Sequence, residues 1–331
     1  MIGYERMGRK KSAFFMVQFV GKNSVRLIGV GILIFFYVRW DFTRILGAIK
    51  NADLLFFAGS IVAVNLVVLL QAWRGYVLLG QERFKLDFRT YARFYFVTMA
   101  SSMATPGRVG AVTQVPLLHQ RGIGVGDGFA NVIYDKLCDL TGFFAMGALF
   151  GMLMTDISLV DPLLLVSLCC ITLLTMWHLD FLFTITSKPI ERIFPKVTGK
   201  WSKDKISLES DIKGYALVLT MFRLFGAVVV HWFVSQAAGM NVSLTSLSAA
   251  AAFGALSTLL PVSVMGIGLR EGIFLLLFSG KGYPEEQILT FAFLVLLAYL
   301  STVPVGIFLA VSSDRIKQEK VNISTVVKEK P

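Results

Sequence analysis

The chain has 331 residues, of which 55% are hydrophobic and 16% are charged, and its net charge is +11. A soluble domain has about 45–50% apolar and about 25% charged residues, whereas several apolar runs here reach the roughly 20 residues that a helix needs to cross a bilayer. The length of these runs argues against a soluble enzyme, and solid apolar runs exclude the alternating pattern of a membrane β-barrel. We assign the basic excess to cytoplasmic loops and anionic lipid headgroups, not to nucleic acid.

The apolar pattern predicts an all-α membrane protein with about six full transmembrane helices and two re-entrant hairpins made of broken helices. A cytoplasmic segment (1–23) precedes a single transmembrane domain (24–312), and a basic cytoplasmic tail (313–331) follows it. In chain order, the predicted units are spans at 24–39 and 52–79, a broken unit at 90–121, spans at 127–154 and 158–178, a basic stretch at 187–212, a span at 213–239, a broken unit at 245–279 and a span at 285–312.

The distribution of basic residues predicts the orientation. With the N-terminus inside and both hairpins re-entrant, 23 of the 32 Lys and Arg residues fall on the cytoplasmic side and four on the outer side. The others lie at membrane depth: Arg74, Arg108, Lys136, Arg223 and Arg270. Arg74 follows Trp73 near the inner end of its span, and we expect it to snorkel to the interface. The chain is thus predicted to be a multi-pass inner (plasma) membrane protein with both termini in the cytoplasm.

The order of span, span, broken hairpin and span occurs twice, in halves 24–154 and 158–312. In this topology the first hairpin enters from the inside and the second from the outside, which makes an inverted repeat. Many secondary transporters are built on this plan. The alternative is that Pro and Gly recur at these positions by chance.

The tip of the first hairpin reads TPGRVGAVTQ and places Arg108 at the turn, near the predicted midplane. Gly107 and Gly110 let the backbone approach a ligand closely. A half-helix beginning near Ala111 would point its positive end at the same place. A guanidinium beside a helix N-terminus predicts a phosphate or carboxylate site; the alternative is that Arg108 pairs with nearby acids.

The span that follows contains two carboxylates and a lysine, in the sequence Asp135-Lys136-Leu-Cys-Asp139. Asp135 and Asp139 share one helix face because they are four residues apart. With Arg108 nearby, they would hold a cationic headgroup or carry a proton; the alternative is a static Arg–Asp–Lys network that fixes the hairpin. Arg223, in the middle of a later span, would join the network or line the pathway.

The tip of the second hairpin, PVSVMGIGLREG, forms a second candidate polar site. A half-helix from about Leu269 would again direct its N-terminus to the membrane interior. The candidate binding residues of this tip are Ser263, Gly266, Gly268, Arg270 and Glu271.

The cysteines and histidines predict no metal site and no cofactor. Cys138, Cys169 and Cys170 lie in apolar runs, and no Cys/His spacing is typical of a metal ligand set. No nucleophile–base pair is readable either, so we expect a protein that is not an enzyme.

Three motifs together resemble the transmembrane region of lysylphosphatidylglycerol synthases: TPGRVGAVTQVPLLHQRG, YDKLCDL and PVSVMGIGLREG. The resemblance covers about residues 24–312 and extends to stand-alone, flippase-like membrane proteins. Two positions depart from the pattern. Ala111 stands where this family commonly has an acidic residue, and Asp135-Lys136-x-x-Asp139 stands where it has Glu-Arg-x-x-x-Asp.

The resemblance implies a lipid translocase that moves a phosphate-bearing, aminoacylated or glycosylated headgroup between leaflets. Only 17 residues follow Asp314, so no lysyl transfer is expected. The implied partners are the lipid substrate and anionic membrane lipids, and a homo-oligomer is left open. Two alternatives remain: an ion-coupled small-solute transporter with Asp135 and Asp139 as a proton site, and a non-catalytic membrane partner of envelope glycolipid synthesis.

Overall fold

A computed structural model describes residues 50, 52–80, 84–103, 105–153, 162–178, 209–260 and 265–309 of the chain. Within these ranges all regular structure is helical and no strand occurs. The predicted span at 24–39, the tail, most of the basic stretch and Ser263 lie outside the described residues.

Numbered in chain order among the described residues, the α-helices are α1 (Leu54–Leu78), α2 (Phe88–Met103), α3 (Gln114–His119), α4 (Val125–Met152), α5 (Pro162–Trp177), α6 (Ser210–Ala237), α7 (Leu244–Leu259), α8 (Leu269–Phe278) and α9 (Glu285–Leu300). Two 3-10 helices cover Pro106–Thr113 and Ser279–Lys281. The helices Leu54–Leu78, Ser210–Ala237 and Glu285–Leu309 are long and apolar enough to cross a membrane, and α5 and α7 contain shorter apolar helices. The all-helical membrane class is therefore confirmed, while the number of full spans and the inverted repeat remain predictions.

Both predicted interruptions are confirmed. The first lies between α2 and α3, where Gly107 and Arg108 have φ values of 59° and 55°. The second lies between α7 and α8, where a turn at 265–268 leads into α8. The α-helix after the first break begins at Gln114 and not near Ala111, because 3-10 turns continue to Thr113. It has only six residues, so it offers a weaker dipole than the half-helix we predicted.

The long helix α6 contacts α1, α4, α7 and α9. Small residues allow α1 and α6 to approach closely: a Cβ at Gly226 would lie 2.7 Å from Val67 Cγ2. This is the packing expected of membrane helices. The hydrophobic effect does not drive helices together in lipid, so they associate through the close van der Waals packing that small residues allow.

Polarity is distributed as in a membrane protein. Large apolar side chains are exposed on the outside, including Phe222 and Phe225 of α6 at 61% and 70%. Charged side chains are buried inside, including Arg74 and Asp139 at 1% and 3%. A soluble protein would expose those charges, whereas lipid contact makes the apolar exterior favourable.

Asp87 caps the N-terminus of α2, outside the apolar spans. Its Oδ2 accepts from the Thr90 backbone N–H at 3.0 Å and its Oδ1 accepts from the Thr90 hydroxyl at 2.8 Å. The hydrogen bond from the Thr90 hydroxyl is the main cause that lowers the pKa of Asp87. A lowered pKa means that the carboxylate stabilises the fold above its unfolded pKa of about 3.9.

We expect Asp87→Ala to lower the free energy of unfolding by about 1 kcal/mol at neutral pH, because an N-cap acceptor is lost. Asp87→Asn keeps the acceptor and serves as the matched control. The advantage of the wild type over Asp87→Asn should disappear as the pH falls through the lowered pKa of Asp87. Unfolding midpoints of the detergent-solubilised variants across this acidic range test this, and a pH-independent difference would contradict it.

Candidate functional site

A buried arginine of α1 joins the two carboxylates of α4. Arg74 Nη2 donates to Asp135 Oδ1 at 2.6 Å and to Asp139 Oδ1 at 2.7 Å. Arg74 Nε also donates to Asp135 Oδ1, at 3.0 Å. One guanidinium reaches both acids because they are one helical turn apart. Since a lone buried charge is strongly destabilising, this triad fixes α1 against α4.

Arg223 of α6 is the second buried cation of the cluster. Its Nη1 lies 3.5 Å from Asp139 Oδ1, and its guanidinium carbon lies 4.5 Å from the centroid of the Phe143 ring. With its amide oxygen facing Arg223, Gln71 accepts from Nη2 at 3.1 Å and from Nε at 2.5 Å. Arg223 Nη1 is buried and makes no hydrogen bond with any residue that the structure describes. A buried donor without an acceptor is uncommon in folded proteins.

Lys136 extends the cluster toward a more accessible surface. Its Nζ lies 3.4 Å from Asp135 Oδ2 and 3.5 Å from Asp139 Oδ2, and its side chain is 31% exposed. Tyr95 also donates to Asp135 Oδ2, at 3.1 Å. The carboxylates thus face Arg74 on one side and a partly exposed amine on the other.

One of our predictions about these charges is wrong. Arg74 does not snorkel, because it is 1% exposed and holds both carboxylates. The alternative in which Arg108 pairs with these acids does not hold either, because its side chain forms no ion pair with them among the described residues. The static Arg–Asp–Lys network that we considered is present, with Arg74 as its arginine. Two carboxylates at membrane depth require a buried cation, and that requirement could have identified Arg74.

The backbone at Arg108 is held in an uncommon conformation. Its φ of 55° is in the left-handed region, which non-glycine residues seldom occupy. The Arg108 N–H donates to the Thr105 carbonyl at 3.3 Å, and the Ser102 hydroxyl donates to the Arg108 carbonyl at 3.3 Å. Glycine at position 107, with a φ of 59°, precedes it in the same conformation. Such backbone conformations cluster at ligand-binding sites.

The guanidinium of Arg108 is an unpaired cation beside the cluster. Among the described residues it forms no hydrogen bond and no ion pair, and the residue is partly exposed. It lies within electrostatic range of Asp139, Arg223, Tyr95 and Tyr299. Arg108 is therefore close to the charges of α4 and α6 without being neutralised by a partner of its own.

Gly110 allows the 3-10 helix to return against α2. Its N–H donates to Thr105 Oγ1 at 2.7 Å, and a Cβ at this position would overlap the backbone carbonyl of Ser101. Because backbone atoms cannot move aside cheaply, a side chain here would displace the whole tip that carries Arg108.

We therefore expect Gly110→Ala to lower the free energy of unfolding by about 1–3 kcal/mol. Gly214→Ala is the matched control, because a Cβ at this helical position meets nothing within 4 Å; alanine there should be neutral or favourable. Thermal unfolding of both purified variants makes the comparison. Equal midpoints for the two variants would show that the close approach at Gly110 does not matter.

A hydrogen-bonded network that the sequence analysis missed anchors the far end of the tip motif. Gln114 Nε2 donates to the Tyr91 hydroxyl at 2.7 Å, and that hydroxyl donates to Asn131 Oδ1 at 2.7 Å. Asn131 Nδ2 in turn donates to the Gly75 carbonyl at 2.7 Å. The chain of bonds connects α1, α2, α3 and α4, so the first break is fixed to the helices that hold the charges.

At the second break, the arginine is paired with the glutamate that follows it in the chain. Arg270 Nη2 donates to Glu271 Oε1 at 2.9 Å, while Glu271 Oε2 accepts from the Gly268 N–H and caps α8. Gly268 has a φ of 89°, which favours glycine, and Gly266 packs against Ser257. Among the described residues, no hydrogen bond or ion pair joins Arg270 to the cluster on α4. The two breaks lie close to each other even so, because Met103 and Met265 belong to one apolar cluster.

Of the predicted site residues, the structure brings five into one charge cluster. Its cations are Arg74, Arg108, Lys136 and Arg223, of which Arg74 was not predicted, and its anions are Asp135 and Asp139. Gly107 and Gly110 shape the backbone next to it, while Arg270 and Glu271 form a pair of their own. Four cations against two anions leave a surplus of two positive charges.

The chain matches a protein family over most of its length. The model of the family described as "Lysylphosphatidylglycerol synthase TM region" matches residues 24–306. Comparison with curated proteins finds no match. The matched segment contains both broken units and the charged helix α4, and the helices of membrane-spanning length make the chain a multi-pass membrane protein. This chain belongs to the lysylphosphatidylglycerol synthase TM region family.

Proposed function

We propose that this protein moves a lipid with an anionic headgroup between the two leaflets of the membrane and that Arg108 receives the headgroup. The observation that supports this most is an unpaired guanidinium at a helix break, on a residue that is partly exposed and lies beside a cluster with surplus positive charge. A charge inside a membrane is costly and is normally functional or paired. The family's description, which names a phospholipid, supports a lipid as the cargo.

The cluster offers the cationic groups and hydrogen-bond donors that would bind an anionic headgroup. Arg108 would pair with a phosphate oxygen, and Arg223 Nη1 has a hydrogen-bond donor without an acceptor among the described residues. Lys136 adds an accessible amine, 31% exposed, on the same helix as the carboxylates. The donors would replace part of the hydration that the headgroup loses, while the acyl chains stay in the lipid.

In this proposal Asp135 and Asp139 are positioning residues that stay ionised. Arg74 already donates to both of them, so their role is to hold Lys136 and Arg223 in place. The lipid crosses without a covalent step. We further propose that the protein lies in the plasma membrane. The distribution of basic residues predicts that both termini face the cytoplasm.

Reconstitution into vesicles tests the proposal. Vesicles would contain phosphatidylglycerol or phosphatidylethanolamine labelled on an acyl chain, and dithionite would quench only the outer leaflet. We expect the protein to accelerate exchange of the anionic lipid more than that of the zwitterionic lipid. No exchange of either lipid above the rate of protein-free vesicles would contradict the proposal. Uptake of radiolabelled glycerol 3-phosphate into the vesicle lumen would favour the small-solute transporter instead.

A further inference from the structure

We infer that the headgroup site prefers a phosphate monoester, whose charge is close to −2, over the singly charged phosphodiester of an ordinary phospholipid. The inference rests on the proposed function and specifies the substrate class of the same site. A lipid phosphate and a soluble phosphate share this chemistry, and the experiment below separates them.

The charge balance of the cluster carries the inference. Arg74, Lys136 and Arg223 contact the two carboxylates, and together these five groups leave one positive charge. Arg108 adds a second, since its guanidinium has no ion-pair partner among the described residues. A phosphodiester would neutralise half of this surplus, whereas a monoester dianion would neutralise all of it. Uncompensated charge is costly where the effective dielectric constant is low.

The available donors point the same way. Arg108 contributes a planar fork of N–H groups, which matches two oxygens of one phosphate. Arg223 is only 4% exposed, and its buried Nη1 makes no hydrogen bond with the described residues. A phosphate monoester has three terminal oxygens and a diester has two, so the monoester accepts from more of these donors at once.

The second break does not alter this balance. Arg270 and Glu271 form a 2.9 Å ion pair, so together they add no net charge. Glu271 is also held as the cap of α8 through the Gly268 N–H, which keeps the carboxylate beside its own arginine. The surplus therefore belongs to Arg108 and to the charges of α1, α4 and α6, and not to the second break.

Binding measurements on the full-length protein in detergent test the inference. The shift of the unfolding midpoint would be titrated with short-chain phosphatidic acid, a monoester, and with short-chain phosphatidylglycerol, a diester, at about pH 8, where the monoester is doubly charged. We expect the monoester to bind at least about tenfold more tightly. Arg108→Gln and Lys136→Gln each remove one positive charge, so each should reduce this ratio, while the exposed Arg89→Gln should keep it.

Each outcome decides the question. Equal affinity for the two lipids would overturn the inference and leave the proposed function standing, whereas binding of neither lipid would overturn both. A wild-type ratio that persists in both Arg108→Gln and Lys136→Gln would also overturn the inference, because the preference would not arise from this charge. Competition by glycerol 3-phosphate at concentrations similar to those of phosphatidic acid would support the monoester preference but contradict a lipid cargo.

Discussion

Replacing Arg74 by methionine is expected to lower the free energy of unfolding by about 3–5 kcal/mol, the cost of leaving a buried ion pair without one partner. Arg74 is 1% exposed and donates to Asp135, Asp139 and the hydroxyl of Thr220. Without it, two carboxylates would share the incomplete compensation that Lys136 and Arg223 provide. Thermal unfolding of the purified protein, together with the monodisperse fraction after extraction, measures the loss.

A double-mutant cycle separates the ion pair from the volume of the side chain. Arg74→Met combined with Asp135→Asn removes a cation and an anion together, so the double variant should lose less stability than the sum of the two single variants. Arg121→Met is the control, since Arg121 is exposed and only approaches the Phe94 ring at 5.9 Å; it should change stability by less than about 0.5 kcal/mol. Strictly additive effects would show that Arg74 does not stabilise the fold through its acids.

Arg108→Gly is expected to abolish lipid exchange while leaving the protein at least as stable as the wild type. The φ of 55° at Arg108 is costly for a residue with a Cβ, so glycine should raise the free energy of unfolding by about 1 kcal/mol. The guanidinium makes no hydrogen bond or ion pair with the described residues, so its removal breaks no such contact among them. Stability and transport would then change in opposite directions, as expected of a strained functional residue.

The comparison needs both readouts from one preparation of the protein. Lipid exchange is measured in vesicles, and the unfolding midpoint is measured in detergent before reconstitution. A clear loss of stability in Arg108→Gly would indicate that the side chain supports the fold. Wild-type exchange in a stable Arg108→Gly variant would indicate that the headgroup is received elsewhere.

Local chemistry made the membrane class and the two breaks predictable. Proline cannot continue a helix and glycine accepts left-handed backbone, so the segments 105–110 and 261–268 marked the interruptions. The position of Asp135 and Asp139 on one helix face was also predictable, because it depends only on a spacing of four residues. The 3-10 turns up to Thr113 were not, since nothing local distinguishes them from the first turns of an α-helix.

Contacts between distant segments were not predictable. Arg74 and Asp135 are 61 residues apart in the chain, and the position of Arg74 near a span end favoured an interfacial side chain. The bond between Tyr91 and Asn131 joins two helices in the same way. Both depend on how the helices pack, and a single sequence records helix packing only weakly. The presence of two acids at membrane depth was the one signal in the sequence that pointed to a buried cation such as Arg74.

The difference between the breaks is a property of the folded chain. Both tips place an arginine after a glycine-rich turn, and from the sequence alone we predicted a polar site at each of them. Arg270 has Glu271 as an adjacent partner at 2.9 Å, whereas Arg108 is followed by Val109 and has no acid beside it. Only the first tip therefore contributes net charge, and it does so next to the cations of α4 and α6.

The most direct test of this account is the rate of leaflet exchange of labelled phosphatidylglycerol in vesicles that contain wild-type protein, Arg108→Gln or Arg89→Gln. Both variants replace an arginine by a neutral side chain, but Arg89 lies on α2, is exposed and is outside the cluster. We predict that Arg108→Gln slows exchange at least about tenfold, since a charge-assisted contact is lost, and that Arg89→Gln retains the wild-type rate. Equal rates in all three preparations would contradict the account.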